Sequence, residues 1–528
     1  MSDTWSTLFN PESGYTDLAV DTPLSPLDGR YRAAVAPLAN TLSEAALNRA
    51  RVHVEVEWLI YLMDHEVLPG APTLTDAERA YLRRLAVDFG PEDIHRLARI
   101  EAETRHDVKA VEYLIKEHLD QAPDELGDST CLPDLHEVVH IFCTSEDINN
   151  LAYALTVAAA VTHTWLPAAR QLIESLRAVA RDGADAPMLA HTHGQPATPV
   201  TMGKEMAVFI HRLNRQIDRI EKTEYLGKIN GATGTWAAHM VAVPGADWPA
   251  LAQGFVEFLG LTWNPLTTQI ESHDWQAELY SDVARFNRIA HNLATDCWSY
   301  ISMGYFHQNL AAQGSTGSST MPHKVNPIRF ENAEANLEIS CALFDTLAAT
   351  LVTSRMQRDL TDSTTQRNIG VAFGHSLLAL DNLVRGLAGL DINRERMAAD
   401  LDQNWAVLGE AVQQAMRAAS IAGATGMANP YERLKELTRG HTVGADEMRT
   451  FIAGLGLPGE VEHRLLDLTP ATYIGQSEKM AGWEQPVHGL RPPGRVSVGC
   501  AETRIQCRGC RGFLTESNTG NVASHFAC

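Results

Sequence analysis

Residues 314–336 have the sequence Gly-Ser-Thr-Gly-Ser-Ser-Thr-Met-Pro-His-Lys-Val-Asn-Pro-Ile-Arg-Phe-Glu-Asn-Ala-Glu-Ala-Asn. The glycines and hydroxyl side chains of the first half predict a mobile polar loop. Lys324 and Asn326 follow, and Pro327 suits the first turn of a helix. A cation, an amide and unpaired helix N–H groups therefore converge. A carboxylate or a developing oxyanion is stabilised by such groups.

Two familiar glycine-containing motifs do not fit this stretch. A phosphate-binding P-loop ends in Gly-Lys-Ser/Thr, whereas Lys324 follows His323. A nucleophile elbow needs Gly-x-Ser-x-Gly after a strand, whereas Ser318 lies in Gly-Ser-Ser-Thr-Met with no β-rich run before it. A plain Ser/Gly linker would leave the following Met-Pro-His-Lys-Val-Asn-Pro run unexplained. The stretch is therefore interpreted as part of a site for an anionic group.

Length and charge limit the classes of function. The chain has 528 residues, of which 45% are hydrophobic, and this suits a globular protein of about three domains. Its formal net charge of −22 argues against nucleic acid or an anionic membrane as a partner. An anionic substrate must then be bound by a local basic cluster.

Targeting signals and cysteine usage indicate a cytoplasmic protein. The N-terminus, Met-Ser-Asp-Thr-Trp-Ser-Thr-Leu, has no basic region followed by an apolar core, so no signal peptide is predicted. No uncharged apolar run has membrane-spanning length. Cys131, Cys143, Cys297 and Cys341 are scattered singly, as is typical of reduced thiols.

Helical periodicity covers most of the chain, and neither a sustained β pattern nor an internal repeat is found. Helices are predicted at about 42–64, 76–88, 92–119, 146–182, 200–224, 271–303, 327–353, 366–390 and 395–424. Apolar residues at alternating steps of three and four form the seam of a long bundle helix: Val283, Phe286, Ala290, Leu293, Cys297, Tyr300 and Gly304. The predicted fold class is all-α.

Three polar segments are candidates for a functional site. The cluster 105–109 holds four ionisable residues, although such a cluster is often only a solvated helix face. Thr144-Ser145-Glu146-Asp147 is an N-cap signal, and its helix end would also suit a ligand carboxylate. Residues 191–197 are predicted to be a loop, in which His193 is favoured as a proton-transfer group. The alternatives for His193 are a metal ligand, for which no third ligand is nearby, or an exposed bystander.

The signature stretch resembles a known superfamily. Residues 317–327 are similar to the loop Gly-Ser-Ser-x-Met-Pro-x-Lys-x-Asn-Pro of the fumarase/aspartase superfamily. Motifs at 105–107, 144–150, 192–197 and 358–363 narrow the resemblance to the bacterial-type adenylosuccinate lyase family, over about residues 22–476. It implies a three-domain all-α fold, a central bundle of long helices that forms a homotetramer, and active sites shared by three protomers.

The resemblance also implies a reaction. Fumarate is eliminated from adenylosuccinate to give AMP, and from the succinyl-carboxamide ribotide SAICAR to give AICAR, with no metal or organic cofactor. By motif position, Ser318 is the general base, His193 the general acid, and Glu331 the acid that orients His193. Lys324 and Asn326 would hold the succinyl carboxylate. The positions matching substrate-binding residues are Arg30, Tyr31, Arg105, His106, Asp107, Thr144, Ser145, Gln269, Ser319, Asn326, Asn332, Arg358, Ser363 and Arg367.

The chain departs from the family at two places. Arg105 stands where Asn is expected, which affects a substrate contact and not the proton-transfer pair. The resemblance ends near residue 476. The predicted division is an N-terminal helical domain at 1–143, the bundle at 144–390, a C-terminal helical domain at 391–476, and an atypical disordered tail at 477–528. The Cys-x-x-Cys at 507–510 has zinc-ligand spacing but lacks a second pair.

Two alternatives to this function remain at the level of sequence. One is another fumarate-releasing lyase of the superfamily, such as one acting on argininosuccinate. His323 and the Thr-Ser-Glu-Asp motif speak against it. The other is a non-catalytic structural relative. The presence of Ser318, His193, Lys324 and Glu331 speaks against that class.

Overall fold

The computed structural model describes residues 24–309, 324–438 and 443–483. Ser318, Ser319 and the tail beyond residue 483 lie outside the described residues. The described ranges are mainly helical, with a few short strands, so the all-α prediction is confirmed. No helix in these ranges has both the length and the apolar character needed to cross a membrane.

The described N-terminal residues form five α-helices and, at Leu132–Val138, a 3-10 helix. The α-helices are α1 Arg32–Leu42, α2 Glu44–Asp64, α3 Asp76–Val87, α4 Pro91–Thr104 and α5 Asp107–Leu126. The single helix predicted at 92–119 is wrong, because Arg105 adopts a left-handed conformation with φ 55° and ends α4. His106 then caps α5, where its Nδ1 accepts a hydrogen bond from the Lys109 N–H at 3.3 Å. The three residues 105–107, which match a motif of the family that the sequence resembles, therefore lie at the exposed junction between α4 and α5.

The central part is built from long helices. Its elements are α6 Ser145–Ala160, α7 Leu166–Asp182, α8 Met202–Ile220, α9 Ala237–Ala242, α10 Trp248–Phe258, α11 Asp274–Met303, α12 Ile328–Leu351, α13 Thr361–Gln366 and α14 Ile369–Ala388. A π-helical turn, Val161–Trp165, joins α6 to α7, so the predicted helix at 146–182 is confirmed as one helical run. The helix predicted at 366–390 is confirmed as α14, whereas the short helix α13 before it was not predicted.

The predicted seam lies in the bundle core. Val283, Phe286, Ala290, Leu293 and Cys297 are all fully buried on α11. Phe286 packs edge-on against Trp165 of the π-helical turn, with ring centroids 5.0 Å apart. The alternating three- and four-residue spacing keeps one face of α11 against its neighbours, so burial of that face holds the bundle together.

The segment 191–197 is a hairpin and not the predicted loop. Strand β1 Pro187–Thr192 pairs antiparallel with β2 Gln195–Thr201, with Thr192 opposite Gln195. The two turn residues, His193 and Gly194, have φ of 53° and 72°. Positive φ at both central positions is the geometry of a tight type I′ hairpin turn. His193 therefore projects from the tip of a rigid element.

Four further strands are short, and helices follow them to the end of the described chain. Strands β3 Leu226–Gly227 and β4 Thr262–Trp263 pair parallel, and β5 Phe306–Gln308 pairs antiparallel with β6 Leu390–Ile392. The remaining described α-helices are α15 Arg394–Asp402, α16 Gly409–Ile421, α17 Pro430–Thr438, α18 Ala445–Ala453, α19 Gly459–Leu466 and α20 Ser477–Met480, and a 3-10 helix, Trp405–Leu408, precedes α16. Helix α20 lies beyond the predicted boundary at 476, and its Ser477 is buried. Helical structure thus enters the segment predicted to be a disordered tail.

Buried apolar residues form separate clusters along the chain. One cluster lies among α2 to α5 and a second follows the long central helices. A third is built from C-terminal residues such as Trp405, Met416 and Ile452. The predicted domain boundaries themselves stay a prediction.

Candidate active site

The N-terminus of α6 carries Thr144 and Ser145, both half-buried. Of the two predicted cap residues, Thr144 and Ser145, Thr144 is the N-cap, and its backbone N–H donates to the Asp147 carboxylate at 2.8 Å. The first N–H groups of the helix point toward this end, where the helix dipole favours negative charge. Thr144 and Ser145 thus lie where an anionic ligand group is stabilised.

Asp147 also forms a fully buried ion pair that sequence analysis missed. Its Oδ1 accepts from Lys228 Nζ at 2.8 Å and from the Asn230 N–H at 2.9 Å. Its Oδ2 accepts from the Gly231 N–H at 3.1 Å. Both charged side chains are completely shielded from solvent. The carboxylate therefore fixes the turn 227–234 against the start of α6. In the sequence, the only indication of this ion pair was a lysine within a turn of small residues.

Imidazole packs beneath this turn. His239 is buried, and its ring stacks on Phe142 with centroids 5.0 Å apart. A Cβ at position 231 would approach His239 Cε1 to 3.0 Å, so Gly231 allows this close contact and also supplies a φ of 80°. Burial lowers the pKa of His239 to about 4, although Asp147 acts in the opposite direction. The ring is therefore neutral at physiological pH.

The low pKa of His239 predicts a pH-dependent stability. Because the folded-state pKa of about 4 lies below the ordinary value of 6.5, the unfolded chain binds the proton more readily. The free energy of unfolding should therefore fall as pH decreases from 6.5 toward 4. His239→Phe should lose less stability over that interval in urea titrations at stepped pH. Equal losses in both proteins would contradict the assignment.

The turn 227–234 reaches the next candidate residue, Gln269. Gln269 Nε2 donates to the Ala232 carbonyl at 3.0 Å, and Asn230 Nδ2 donates to Thr267 Oγ1 at 2.7 Å. Gln269 Oε1 accepts from Arg358 Nη1 at 3.3 Å. Gln269 therefore lies between this turn and the basic segment 355–367.

Arg358 gathers several predicted site residues. Its Nη2 donates to Ser363 Oγ at 3.2 Å and lies 2.9 Å from Glu146 Oε1. Its buried Nε–H has no hydrogen-bond partner among the described residues. A guanidinium held by protein groups on one edge, with a donor left over, is suited to an oxyanion of a ligand.

Two further predicted site residues, Asp107 and Arg367, contact each other. Asp107 Oδ2 accepts from Arg51 Nη2 at 2.8 Å and from Arg367 Nη2 at 3.4 Å. Burial alone would raise the pKa of Asp107, but Arg51, the Val108 N–H and Arg367 outweigh it, and the pKa lies below its usual range. Arg367 also pairs with Glu44 at 2.9 Å. A cavity of about 250 Å³ opens beside Arg367 and Glu44.

A second group surrounds the start of α12. Asn332 Nδ2 donates to Tyr31 Oη at 3.3 Å, and Asn382 Nδ2 donates to Asn332 Oδ1 at 2.9 Å. Lys324 is exposed and Asn326 is half-buried just before the helix. Glu331 is exposed on the first turn, where its Oε1 accepts from Trp298 Nε1 at 3.2 Å.

Among the residues that the structure describes, one chain does not bring all predicted site residues together. Helix α14 begins at Ile369, beside Arg367, and passes Asn382, beside Asn332. At 1.5 Å per residue these points are about 20 Å apart. Within the described part of the chain, no hydrogen bond or ion pair reaches the exposed His193 side chain. The predicted site residues thus form three separate sets. The first, called here the arginine group, consists of Asp107, Gln269, Arg358, Ser363 and Arg367. The second lies at the start of α12, with Lys324, Asn326, Glu331 and Asn332, and the third is the hairpin tip with His193.

Arg30, Arg105 and His106 are also exposed. Arg30 lies against the Tyr31 ring, with 5.9 Å between its guanidinium carbon and the ring centroid. Arg105 and His106 face solvent next to Asp107. Among the described residues, no group of three His, Cys, Asp or Glu side chains is arranged to hold a metal ion.

Sequence comparison identifies relatives over almost the whole described chain. Residues 29–340 match the protein family described as Lyase, and residues 354–474 match the family described as Adenylosuccinate lyase C-terminal. Adenylosuccinate lyase of Escherichia coli K12 is 46% identical over 464 residues, covering 88% of this chain and 99% of the relative. The Vibrio cholerae O1 enzyme of the same name is 45% identical, covering 87% and 98%.

Solved structures share the fold at low sequence identity. A fumarate lyase from Mesorhizobium sp. BNC1 superposes with a TM-score of 0.66 at 20% identity, covering 84% of this chain and 96% of that one. The 3-carboxy-cis,cis-muconate lactonizing enzyme from Pseudomonas putida gives 0.63 at 20% identity, covering 84% and 95%. These likenesses confirm the fumarase/aspartase fold.

Proposed function

This chain belongs to the adenylosuccinate lyase family of carbon–nitrogen lyases, and from that premise we propose how its residues eliminate fumarate from adenylosuccinate in purine nucleotide biosynthesis. The observation that carries the proposal is the arginine group, in which Gln269, Arg358 and Ser363 are joined by hydrogen bonds. There the guanidinium of Arg358, which also lies 2.9 Å from Glu146 Oε1, keeps an N–H donor with no partner among the described residues, on a chain whose formal net charge is −22. An anionic nucleotide can bind there despite the overall repulsion.

The binding step uses the arginine group and the start of α6. Arg358 and Arg367 attract the anionic groups of the substrate, and Thr144 and Ser145 donate from the positive end of the helix. The unpartnered Nε–H of Arg358 is a donor available to a phosphate or carboxylate oxygen. Binding at fixed positions orients the succinyl carbon–nitrogen bond for cleavage.

The chemical step moves two protons in opposite senses. Ser318 removes a proton from the succinyl carbon beside the carboxylate, and that electron pair forms the double bond of fumarate as the carbon–nitrogen bond breaks. His193 donates a proton to the leaving nitrogen, which becomes the amino group of AMP. Lys324, Asn326 and the N-terminus of α12 stabilise the charge that develops on the carboxylate.

A serine base needs help, because an alkoxide is unfavourable at neutral pH. Backbone N–H groups and the cation of Lys324 lower its cost, and closure of the loop over the substrate excludes water. Glu331 orients His193. In one chain the hydrogen bond of the Glu331 carboxylate goes to Trp298, so the acid and the histidine meet in this scheme only across a subunit boundary.

This separation supports our proposal that the sites are shared between subunits of a homotetramer. In one chain the arginine group and the group at the start of α12 lie beside points about 20 Å apart on α14, so we assign the substrate contacts of the two groups to different sites. Apolar side chains exposed on bundle helices support assembly, among them Val208, Trp298 and Ile339, each 39% to 46% exposed. We place this homotetramer in the cytoplasm and assign SAICAR as its second substrate, since its elimination releases fumarate from the same succinylamino linkage.

We expect the purified protein to convert adenylosuccinate to AMP and fumarate in the presence of a metal chelator. Every charge-stabilising group in the scheme is a protein side chain or a helix end, so chelation should leave the rate unchanged. The measurement is the ultraviolet absorbance change, with fumarate quantified separately. Argininosuccinate serves as the control substrate, and turnover of it without turnover of adenylosuccinate would overturn the proposal.

A further inference from the structure

Arg51 lies on α2 and is buried, with a side-chain exposure of 5%. Its guanidinium donates to three acceptors at once. Nη2 donates to Asp107 Oδ2 at 2.8 Å, Nη1 to Asn48 Oδ1 at 2.8 Å, and Nε to Asn149 Oδ1 at 2.9 Å. One side chain therefore joins α2, the start of α5 and the N-terminal part of α6.

The contacts continue from Asn149 to the arginine group. Asn149 Nδ2 donates to Glu146 Oε1 at 2.8 Å, and the same oxygen lies 2.9 Å from Arg358 Nη2. Glu146 and Asn149 are both buried. An unbroken polar chain thus runs from Asp107 through Arg51, Asn149 and Glu146 to Arg358.

Buried polar chains of this kind are rigid, because each member left without its partner would bear the full cost of desolvation. The guanidinium plane suits the task, since its donors point in fixed directions, whereas a lysine ammonium is a single compact charge. The cation of Arg51 also contributes to the low pKa of Asp107, against the opposing effect of burial. Arg51 thus affects both the position and the charge of Asp107.

We propose that Arg51 is a positioning residue for the lyase reaction, holding Asp107 and, through Asn149 and Glu146, Arg358 in one fixed substrate-binding geometry. This inference rests on the proposed function. Arg51 does not touch substrate in this scheme, because its side chain is buried and each of its three guanidinium nitrogens donates to a protein acceptor.

The kinetic test compares Arg51→Met with Arg51→Lys. Without the guanidinium of Arg51, Asp107 and Arg358 should be displaced. A misplacement of about 1 Å costs on the order of 10²-fold in kcat/KM. Most of the loss should appear as a raised KM, because the groups displaced bind substrate rather than transfer protons. Arg51→Lys should recover the loss only partly, since a single compact ammonium cannot reach acceptors spread around the plane of a guanidinium.

Arg83→Met is the matched control. Arg83 forms a two-pronged pair with the buried Glu57, with Nε–Oε1 at 2.8 Å and Nη2–Oε2 at 3.0 Å. This variant removes an arginine–carboxylate pair between α3 and α2 that includes none of the site residues. It should lower the melting temperature while leaving KM unchanged.

Hydrogen–deuterium exchange gives a readout that does not depend on turnover. Arg51→Met should increase exchange in 355–367 and 105–109, and Arg83→Met should not. Asn149→Ala interrupts the same chain of hydrogen bonds without removing a charge, so it serves as the test variant if Arg51→Met does not fold. Unchanged KM and unchanged exchange at 355–367 in the folded variants would overturn the proposal. If the wild-type protein showed no turnover, the proposed function would be wrong. The exchange comparison would still test whether Arg51 holds 105–109 and 355–367 in place.

Discussion

Replacing His193 by alanine is expected to reduce turnover of adenylosuccinate by about 10²–10⁴-fold, because the leaving nitrogen then departs without general acid assistance. Ser318→Ala should cause a comparably large loss by removing the base. Both variants should bind substrate nearly as well as the original protein, since each residue acts mainly in the transition state. Steady-state kinetics and equilibrium binding, measured on the same preparations, check the two parts of the expectation.

His191→Ala is the matched control for the hairpin. His191 is exposed on β1, two residues from His193, and lies opposite Pro196. It has no role in the proposed mechanism, so its loss should leave turnover close to that of the original protein. A loss as large as that of His193→Ala would mean that the hairpin, and not the imidazole of His193, is the sensitive feature.

Mixing the two inactive variants tests the shared site directly. If the base and the acid of one site come from different subunits, mixed tetramers contain some sites with both intact residues. Partial recovery of activity is therefore expected after co-refolding Ser318→Ala with His193→Ala. Refolding each variant with itself is the control. No recovery in tetramers shown to be mixed would place both residues of a site on one chain.

Asp147→Asn is expected to destabilise the protein by about 3–5 kcal/mol, because it leaves the buried Lys228 ammonium without a counter-charge. Lys228→Met should cost less. The Asp147 carboxylate would still accept from the N–H groups of Thr144, Asn230 and Gly231. The only hydrogen bond from Lys228 Nζ to a described residue goes to Asp147.

The double variant Asp147→Asn/Lys228→Met should recover much of the stability lost in Asp147→Asn, since no buried charge remains unpaired. Urea midpoints and melting temperatures of the three variants give the comparison. If Lys228→Met proves more destabilising than Asp147→Asn, the ammonium has stabilising contacts beyond this pair and the asymmetry argued from the hydrogen bonds is wrong.

Local patterns predicted most helices and one cap. The seam on α11 was predictable because residues three and four apart lie on one face of a helix, whatever surrounds it. A cap at Thr144 or Ser145 was predictable because a hydroxyl residue followed by acids satisfies the first N–H groups of a helix within a few residues. The signature at 317–327 indicated the family for the same reason, since its residues are consecutive.

Two errors show where local patterns were insufficient. The run 92–119 keeps helical periodicity across Arg105, and the left-handed residue that breaks it bears no Gly or Pro signal. The hairpin at 187–201 has few alternating apolar residues, so its strands were missed. Its turn holds His193 at positive φ, a position that favours glycine or asparagine and gives little warning in this sequence.

The amino-acid sequence by itself determined the helical class, the family and the chemical types at the site, because periodicity, caps and a consecutive motif depend on neighbours along the chain. Only the tertiary structure decided which of those residues meet. Arg51 is 56 residues from Asp107, and Lys228 is 81 residues from Asp147. Such pairs form because the packing of the helices brings distant residues together. In the buried interior, a charge left without a partner would destabilise the fold, so the buried cations Arg51 and Lys228 each have a carboxylate partner.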